Sequence, residues 1–184
     1  MADATINDLI GRAQRGSPEA YGDLYNCLYQ EIYRYLCYRT GDPMVAEDLT
    51  SEVFLRMVQA LPRYRVEASP FKAWLFQIAR NLAIDHYRQA GKQSLVVMDE
   101  NMGSADPEMD RMIESRLNSA SLLQSLASMD ELYRDVLLLR FIEDLSAAET
   151  ARILEKSEDA VKALQRRALL ALRVMLKHQE IDLA

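Results

Sequence analysis

Apolar side chains return every three or four positions along most of this 184-residue chain, while glycine and proline number only six and five. That period matches the 3.6-residue turn of an α-helix, and no stretch alternates apolar with polar as a half-buried strand would. The expected fold class is therefore all-α. Ser17-Pro18-Glu19 reads as a capping residue followed by proline at the first helical position. The helix it opens runs to about Arg39, with Tyr21, Leu24, Tyr25, Leu28, Ile32, Tyr35 and Leu36 on one stripe, and stops at Thr40-Gly41-Asp42-Pro43. A second helix spans about 44–61 and ends at Pro62; a loop at 63–69 then leads to Pro70 and a helix reaching Gln89. Residues 91–107 interrupt the pattern with glycine, acids and a late proline. Apolar periodicity resumes near Glu108 and takes in Leu122, Leu123, Leu126 and Met129, with further helices at about 130–142, 146–155 and 157–177. Two small helical domains, 1–92 and 119–184, joined by an acidic linker, 93–118, account for this layout.

Charge is uneven. The net value is −6, yet residues 62–92 hold six basic and two acidic groups, and residues 156–178 hold the same numbers. Two basic islands in an acidic chain suit local nucleic-acid contacts without general attraction to polyanions. Apolar runs such as Val136–Leu139 fall far short of the roughly 18 residues of a membrane span. The N-terminal segment carries acids and no long apolar core, unlike a secretory signal. No membrane insertion and a cytoplasmic location are expected. Cys27 and Cys37, ten residues apart on one helix, would sit roughly 15 Å from each other, too far for a disulfide. Packed, reduced thiols are expected. His86 and His178 lie far from them and from each other, so neither a metal nor another cofactor is indicated.

The segment 145–164, LSAAETARILEKSEDAVKAL, has helix-turn-helix spacing. Ala151 is small enough for two helices to cross closely, Ile153 and Leu154 face inward, Ser157 caps the next helix, and Val161 and Leu164 anchor it. Glu155 stands at the turn where glycine is common because a positive φ is needed. Beyond Ser157, Val161, Leu164, Ala168, Leu172 and Met175 share one face and Lys162, Arg166, Arg173 and Lys177 the opposite one. A basic stripe backed by an apolar one lets a helix dock on a core and enter a major groove.

The helix at 71–89 carries a second such surface. Trp74, Leu75, Ile78 and Leu82 form its apolar face, and Gln77, Asn81, Asp85 and Arg88 an adjoining polar stripe. Amide, carboxylate and guanidinium groups together can read base edges or hold a displaced base. The preceding loop adds Arg63 and Arg65, completing the ingredients of a single-strand binding surface. Asp85-His86 has no supporting constellation for acid–base catalysis, so an enzyme is not expected.

AEDLTSEVFLRMVQALPRYR, followed by FKAWLFQIARNLAIDHYR, resembles region 2 of the extracytoplasmic-function (ECF) sigma factors of RNA polymerase. YRDVLLLRFIEDLSAAETARILEKSEDAVKALQRRALLALR resembles their region 4. The resemblance covers about residues 18–92 and 119–176 and leaves no room for region 3. It implies a protein that binds core RNA polymerase, at its clamp helices and flap region, directs it to promoter DNA, helps open the duplex, and is itself held by an anti-sigma factor. By position, Asp48, Leu49, Glu52, Val53, Phe54 and Met57 would dock on the clamp helices, with Ser51 where glutamine is frequent. Arg63, Arg65, Lys72, Arg80, Asn81, Asp85 and Arg88 would serve the −10 element. Ser157, Glu158, Asp159, Lys162, Arg166 and Arg167 would serve the −35 element, Arg167 as a phosphate contact or a structural residue. Ala160 and Ala163 replace hydroxyl residues common in relatives. The rival reading is a helix-turn-helix regulator acting on duplex DNA without polymerase, which needs no second DNA-facing surface.

Overall fold

The computed structural model describes residues 2–65, 69–89, 91 and 120–182. The linker expected at 93–118 lies outside the described residues, as do residues 66–68 of the loop. Every regular element among the described residues is helical.

The first lobe holds α1 (Ala2–Gln14), α2 (Pro18–Thr40), α3 (Pro43–Ala60), a single 3-10 turn (Leu61–Arg63) and α4 (Phe71–Gln89). Local chemistry sets the boundaries. The Ser17 hydroxyl accepts from Ala20 N at 3.3 Å to start α2, and Gly41, at φ 70°, ends it by donating to Cys37 O. Asp42 then caps α3 through Met44 N at 2.9 Å and Val45 N at 3.3 Å, with Pro43 at the first helical position. A glycine that turns and an aspartate that caps reverse the chain in two residues, which packs α3 back along α2. Their contact buries Leu24, Leu28, Ile32 and Leu36 of α2 against Ala46, Val53 and Met57 of α3. Leu75, Phe76 and Ala79 of α4 join this core, with the Phe76 ring edge-on to Tyr35 at 5.4 Å. Each such leucine, isoleucine, valine, methionine or phenylalanine side chain stabilises the fold by about 1.5–3 kcal/mol. Helix α1, which no cap or motif had marked in the sequence, buries Leu9, Ile10 and Ala13.

The second lobe holds α5 (Ala120–Ser128), α6 (Glu131–Leu137), a wider π-type turn (Leu138–Ile142), α7 (Ala147–Leu154) and α8 (Glu158–Asp182). Asp130 caps α6. Ser146 and Glu149 form a reciprocal capping box on α7, at 3.1 and 2.8 Å. Glu155 sits at φ 55° and ψ 45°, so the helix-turn-helix takes its left-handed turn without glycine. Ser157 Oγ accepts from Ala160 N at 3.1 Å, starting α8. Val161, Ala168, Leu169, Leu172 and Leu176 of α8 are buried; Leu164 and Met175 are only half-buried.

Polar contacts join the lobes. Asp135 of α6 is fully buried and accepts from Arg39 Nε at 2.7 Å, Tyr35 Oη at 3.2 Å and Arg80 Nε at 2.7 Å. Glu143 receives Arg34 through Nε at 3.0 Å and Nη2 at 2.6 Å. Helix α7 packs on α4, where Gln77 donates to Glu155 at 3.0 Å. Nothing in the sequence had paired the lobes. Among the described residues no helix is long and apolar enough to cross a membrane. Cys37 is half-buried as expected, but Cys27 is exposed because its position on α2 faces away from the core; both thiols are free.

Candidate nucleic-acid and polymerase interfaces

The proposed −10 surface is built on α4 and the turn before it. Gln14 of α1 donates to Leu61 O at 3.0 Å and Tyr64 O at 2.8 Å, fixing the chain that bears the exposed Arg63 and Arg65. Tyr64 Oη donates to Ser69 O at 2.5 Å, and its ring packs on Phe71 and Trp74, so the two ends of the loop are tied together. Trp74 is a half-buried member of this aromatic cluster. On α4 itself, Asn81, Asp85 and Arg88 are exposed, and Arg88 Nη1 lies 4.0 Å from Asp85 Oδ1 one turn away.

Two residues assigned to this surface are turned elsewhere. Lys72 reaches back to Glu31 on α2 at 2.9 Å, because its position on the first turn of α4 overlooks α2. Arg80 is committed to Asp135 of the other lobe.

Burial makes the inter-lobe cluster electrostatically tense. Desolvation works against the Arg39 charge, but Asp135, Tyr35 and Glu131 outweigh it and hold its pKa above the ordinary value. Tyr35 is pushed well up, by burial first and by Asp135 second. Burial raises the Glu143 carboxyl despite the two hydrogen bonds from Arg34, and burial lowers Arg134, helped by the nearby Arg39 charge. Arg134 is anchored by donating to Ala127 O, Met129 O and Arg39 O.

The start of α8 presents Ser157, Glu158, Asp159, Lys162, Arg166 and Arg167, all exposed. Lys162 Nζ lies 3.7 Å from Asp159 Oδ1 across one turn, and the Ser157 hydroxyl is occupied as a cap. Arg140, from the π-type turn, holds the helix-turn-helix by donating to Leu145 O and to Gln165 Oε1 of α8.

On α3 the expected docking set divides. Asp48 is exposed and Leu49 half-buried; Glu52 pairs with Arg56 at 2.8 Å. Val53, Phe54 and Met57 are core residues, because their side of α3 is the one packed on α2 and α4. The outward face instead carries Met44, Leu55 and Val58, exposed at 78, 52 and 44%. Steps of 7, 4 and 3 from Met44 through Ser51 to Leu55 and Val58 keep these residues within one narrow helical stripe. Tyr25 of α2, its ring 4.7 Å from Phe54, borders the stripe. The spacing was visible in the sequence, but it competed with a stronger apolar periodicity on the buried side.

Comparison with known proteins follows the same division. The family model of Sigma-70 region 2 matches residues 24–93, and that of Sigma-70 region 4 matches residues 119–172. The ECF RNA polymerase sigma factor BldN of Streptomyces coelicolor is 39% identical over 177 residues, covering 94% of this chain and 66% of the relative. SigX of Bacillus subtilis, another ECF sigma factor, is 32% identical over 173 residues, covering 89% of this chain and 85% of the relative. Among solved structures, CnrH in complex with the cytosolic domain of CnrY shares the fold at a TM-score of 0.72 and 24% identity, covering 92% of this chain and 96% of that one. The sigma factor RpoE in complex with the anti-sigma factor NepR, from Bartonella quintana, does so at 0.66 and 18%, covering 85% and 96%. With both sigma regions matched in order, and with relatives of this identity matched over most of its length, the chain belongs to the ECF sigma factors of RNA polymerase.

Proposed function

We propose that this sigma factor docks on core polymerase through the outward stripe of α3, captures the −10 element with α4 and reads the −35 element with α8. The observation that carries the reading is the pair of helices, one in each matched region, that show polar and basic side chains outward from an apolar base: Asn81, Asp85 and Arg88 on α4, Lys162, Arg166 and Arg167 on α8. A duplex reader acting alone would need only the second. The docking stripe consists of Met44, Leu55 and Val58, rimmed by Asp48 and Glu52, an apolar strip with acids suited to a helical partner carrying basic residues. Domain limits of 1–92 and 119–184, with 93–118 as linker, fit the matched segments.

The division of labour follows from energetics. Polymerase supplies the chemistry; this chain supplies address and strand capture, in the cytoplasm where promoter and polymerase meet. Unpairing a base costs a few kcal/mol, which contacts from the polar stripe of α4 and the neighbouring arginines offset. An anti-sigma factor as a further partner is supported by the solved sigma factor of like fold that is bound to one.

Reconstitution with core polymerase and a promoter library tests the proposal. Initiation should require a −10 and a −35 sequence together. Arg166→Glu should weaken promoter use while leaving polymerase binding intact. A phosphate contact would weaken all promoters alike; a base contact would relax one position by about 1–3 kcal/mol. Transcription that ignores the −35 sequence, or that survives Arg166→Glu at every promoter, would overturn the assignment of α8.

A further inference from the structure

Helix α1 lies outside the segment matched by the region 2 model, which begins at residue 24, yet its last residue reaches the loop assigned to the −10 element. Gln14 Nε2 bears two N–H groups and donates to Leu61 O at 3.0 Å and to Tyr64 O at 2.8 Å. Leu61 O also accepts from Tyr64 N at 3.1 Å, which closes the 3-10 turn. Tyr64 has already left that turn, at φ −66° and ψ 139°, so its carbonyl takes no part in helical bonding and Gln14 supplies it with a partner. One amide therefore bridges a helical carbonyl and an extended one, and sets the angle at which the chain leaves the turn. The Tyr64 side chain fixes the other end of the loop. Its Oη donates to Ser69 O at 2.5 Å, and its ring packs on Phe71 and Trp74 at 5.3 and 4.9 Å. Tyr64 is thus held at backbone and side chain, between the exposed Arg63 and Arg65. Charge does not account for α1 at this place. The Arg12 charge acts on Glu19 at the start of α2, and the Arg15 guanidinium folds back over Gly11 of its own helix. What α1 brings to the loop is a neutral amide that faces backbone.

We propose that Gln14 is a positioning residue for −10 recognition, acting on sequence discrimination by aiming Arg63 and Arg65 at base edges; this rests on the −10 reading of the loop that carries them. An arginine on a loose loop still finds phosphates on any strand, because charge attraction tolerates many geometries. Hydrogen bonds to base edges require donors at set places and angles. A loop ordered before the strand arrives leaves its ordering cost out of binding, and the gain falls on the contacts that depend most on geometry. The two Gln14 bonds join residues 47 and 50 positions apart, so the aim of the loop depends on α1 being packed against α2 and the turn. Gln14 itself neither attracts a strand nor reads a base; its effect passes through the two arginines.

The test uses core polymerase loaded with the full chain and two labelled single-stranded oligonucleotides of equal length, one carrying the selected −10 sequence and one scrambled. Gln14→Met keeps length and neutrality but removes both donors. It should lower affinity for the −10 strand by roughly threefold to tenfold, the range of one or two hydrogen bonds, while leaving the scrambled strand and the affinity for core polymerase nearly unchanged. Because Gln14 is exposed, Tm should fall by no more than about 4 °C. Tyr64→Phe, which releases Ser69 O but keeps the ring packing, should narrow discrimination in the same way and stands in if Gln14→Met folds poorly. The deciding arm places Gln14→Met in the Arg63→Gln/Arg65→Gln background. A residue that acts through the arginines has no further effect there, whereas a general strut still weakens binding. Equal losses on both strands, a further loss in that background, or discrimination that survives both Gln14→Met and Tyr64→Phe overturns the proposal. If Arg63→Gln/Arg65→Gln narrows discrimination and Gln14→Met does not, this inference alone falls. If the arginine changes leave −10 binding untouched, the −10 reading of the loop falls with it.

Discussion

At the scale of single residues, exposure separates the two jobs a polar side chain can have. Asn81 and Asp85 face solvent on α4, whereas Arg80, one position away, is locked to a buried carboxylate. Asn81→Ala and Asp85→Ala should therefore change stability by less than about 0.5 kcal/mol. The same changes should weaken binding of a single-stranded −10 oligonucleotide and slow promoter opening by polymerase. A pre-melted template should rescue a defect in melting but not one in base capture. Marked loss of thermal stability with normal activity per folded molecule would show instead that these residues serve the fold. Glu155 poses the opposite case, a residue whose backbone is constrained. An L-residue at φ 55° carries roughly 1–2 kcal/mol of strain, and the Gln77 contact it makes is exposed. Glu155→Gly should raise stability by about 0.5–1 kcal/mol in urea denaturation, the relief exceeding the entropy glycine adds to the unfolded chain. A fall in stability would mean that the Gln77 contact outweighs the strain.

At the scale of elements, α3 shows why a helix with apolar residues on two sides is hard to read. Its packed side, Ala46, Thr50, Val53, Phe54 and Met57, follows from contact with α2 and α4; its outer side, Met44, Leu55 and Val58, is left open. Leu55→Asp with Val58→Asp should leave the fold within about 0.5 kcal/mol of the original while reducing affinity for core polymerase at least tenfold, about 1.4 kcal/mol. Val53→Asp, on the packed side, should unfold the first lobe. Equal polymerase affinity after the outer double change, measured by competition against unmodified protein, would move docking off this stripe. The start of α8 was more legible, because the Ser157 cap is local and acts through a residue three positions on; the Ser146–Glu149 capping box of α7 is equally local but emerged only with the structure.

At the scale of the molecule, net charge and lobe packing act in the same direction. A chain of net −6 gains little from the DNA backbone, and in the closed arrangement Arg34, Arg39 and Arg80 are already neutralised by its own acids. The free protein should bind promoter duplex only weakly, while polymerase loaded with it binds the same duplex specifically; gel shifts with and without core polymerase, at fixed salt, check this. Tight, specific duplex binding by the free chain would restore the reading of an independent helix-turn-helix regulator.

The sequence by itself determined the all-helical class, the helix starts at Ser17 and Ser157, the two basic islands, and the left-handed turn at Glu155, because each is set within a few residues of chain. Periodicity also placed Leu24, Leu28, Ile32 and Leu36 in the core. Tertiary structure alone decided which side of α3 is buried, that Lys72 turns to Glu31, and that Arg80 and Arg39 meet on Asp135, positions 55 and 96 residues from it in the chain. A carboxylate reads the same in sequence whether it faces water or two guanidiniums. Only the packing of one lobe on the other, which removes water from around Asp135, makes it the centre of the joint.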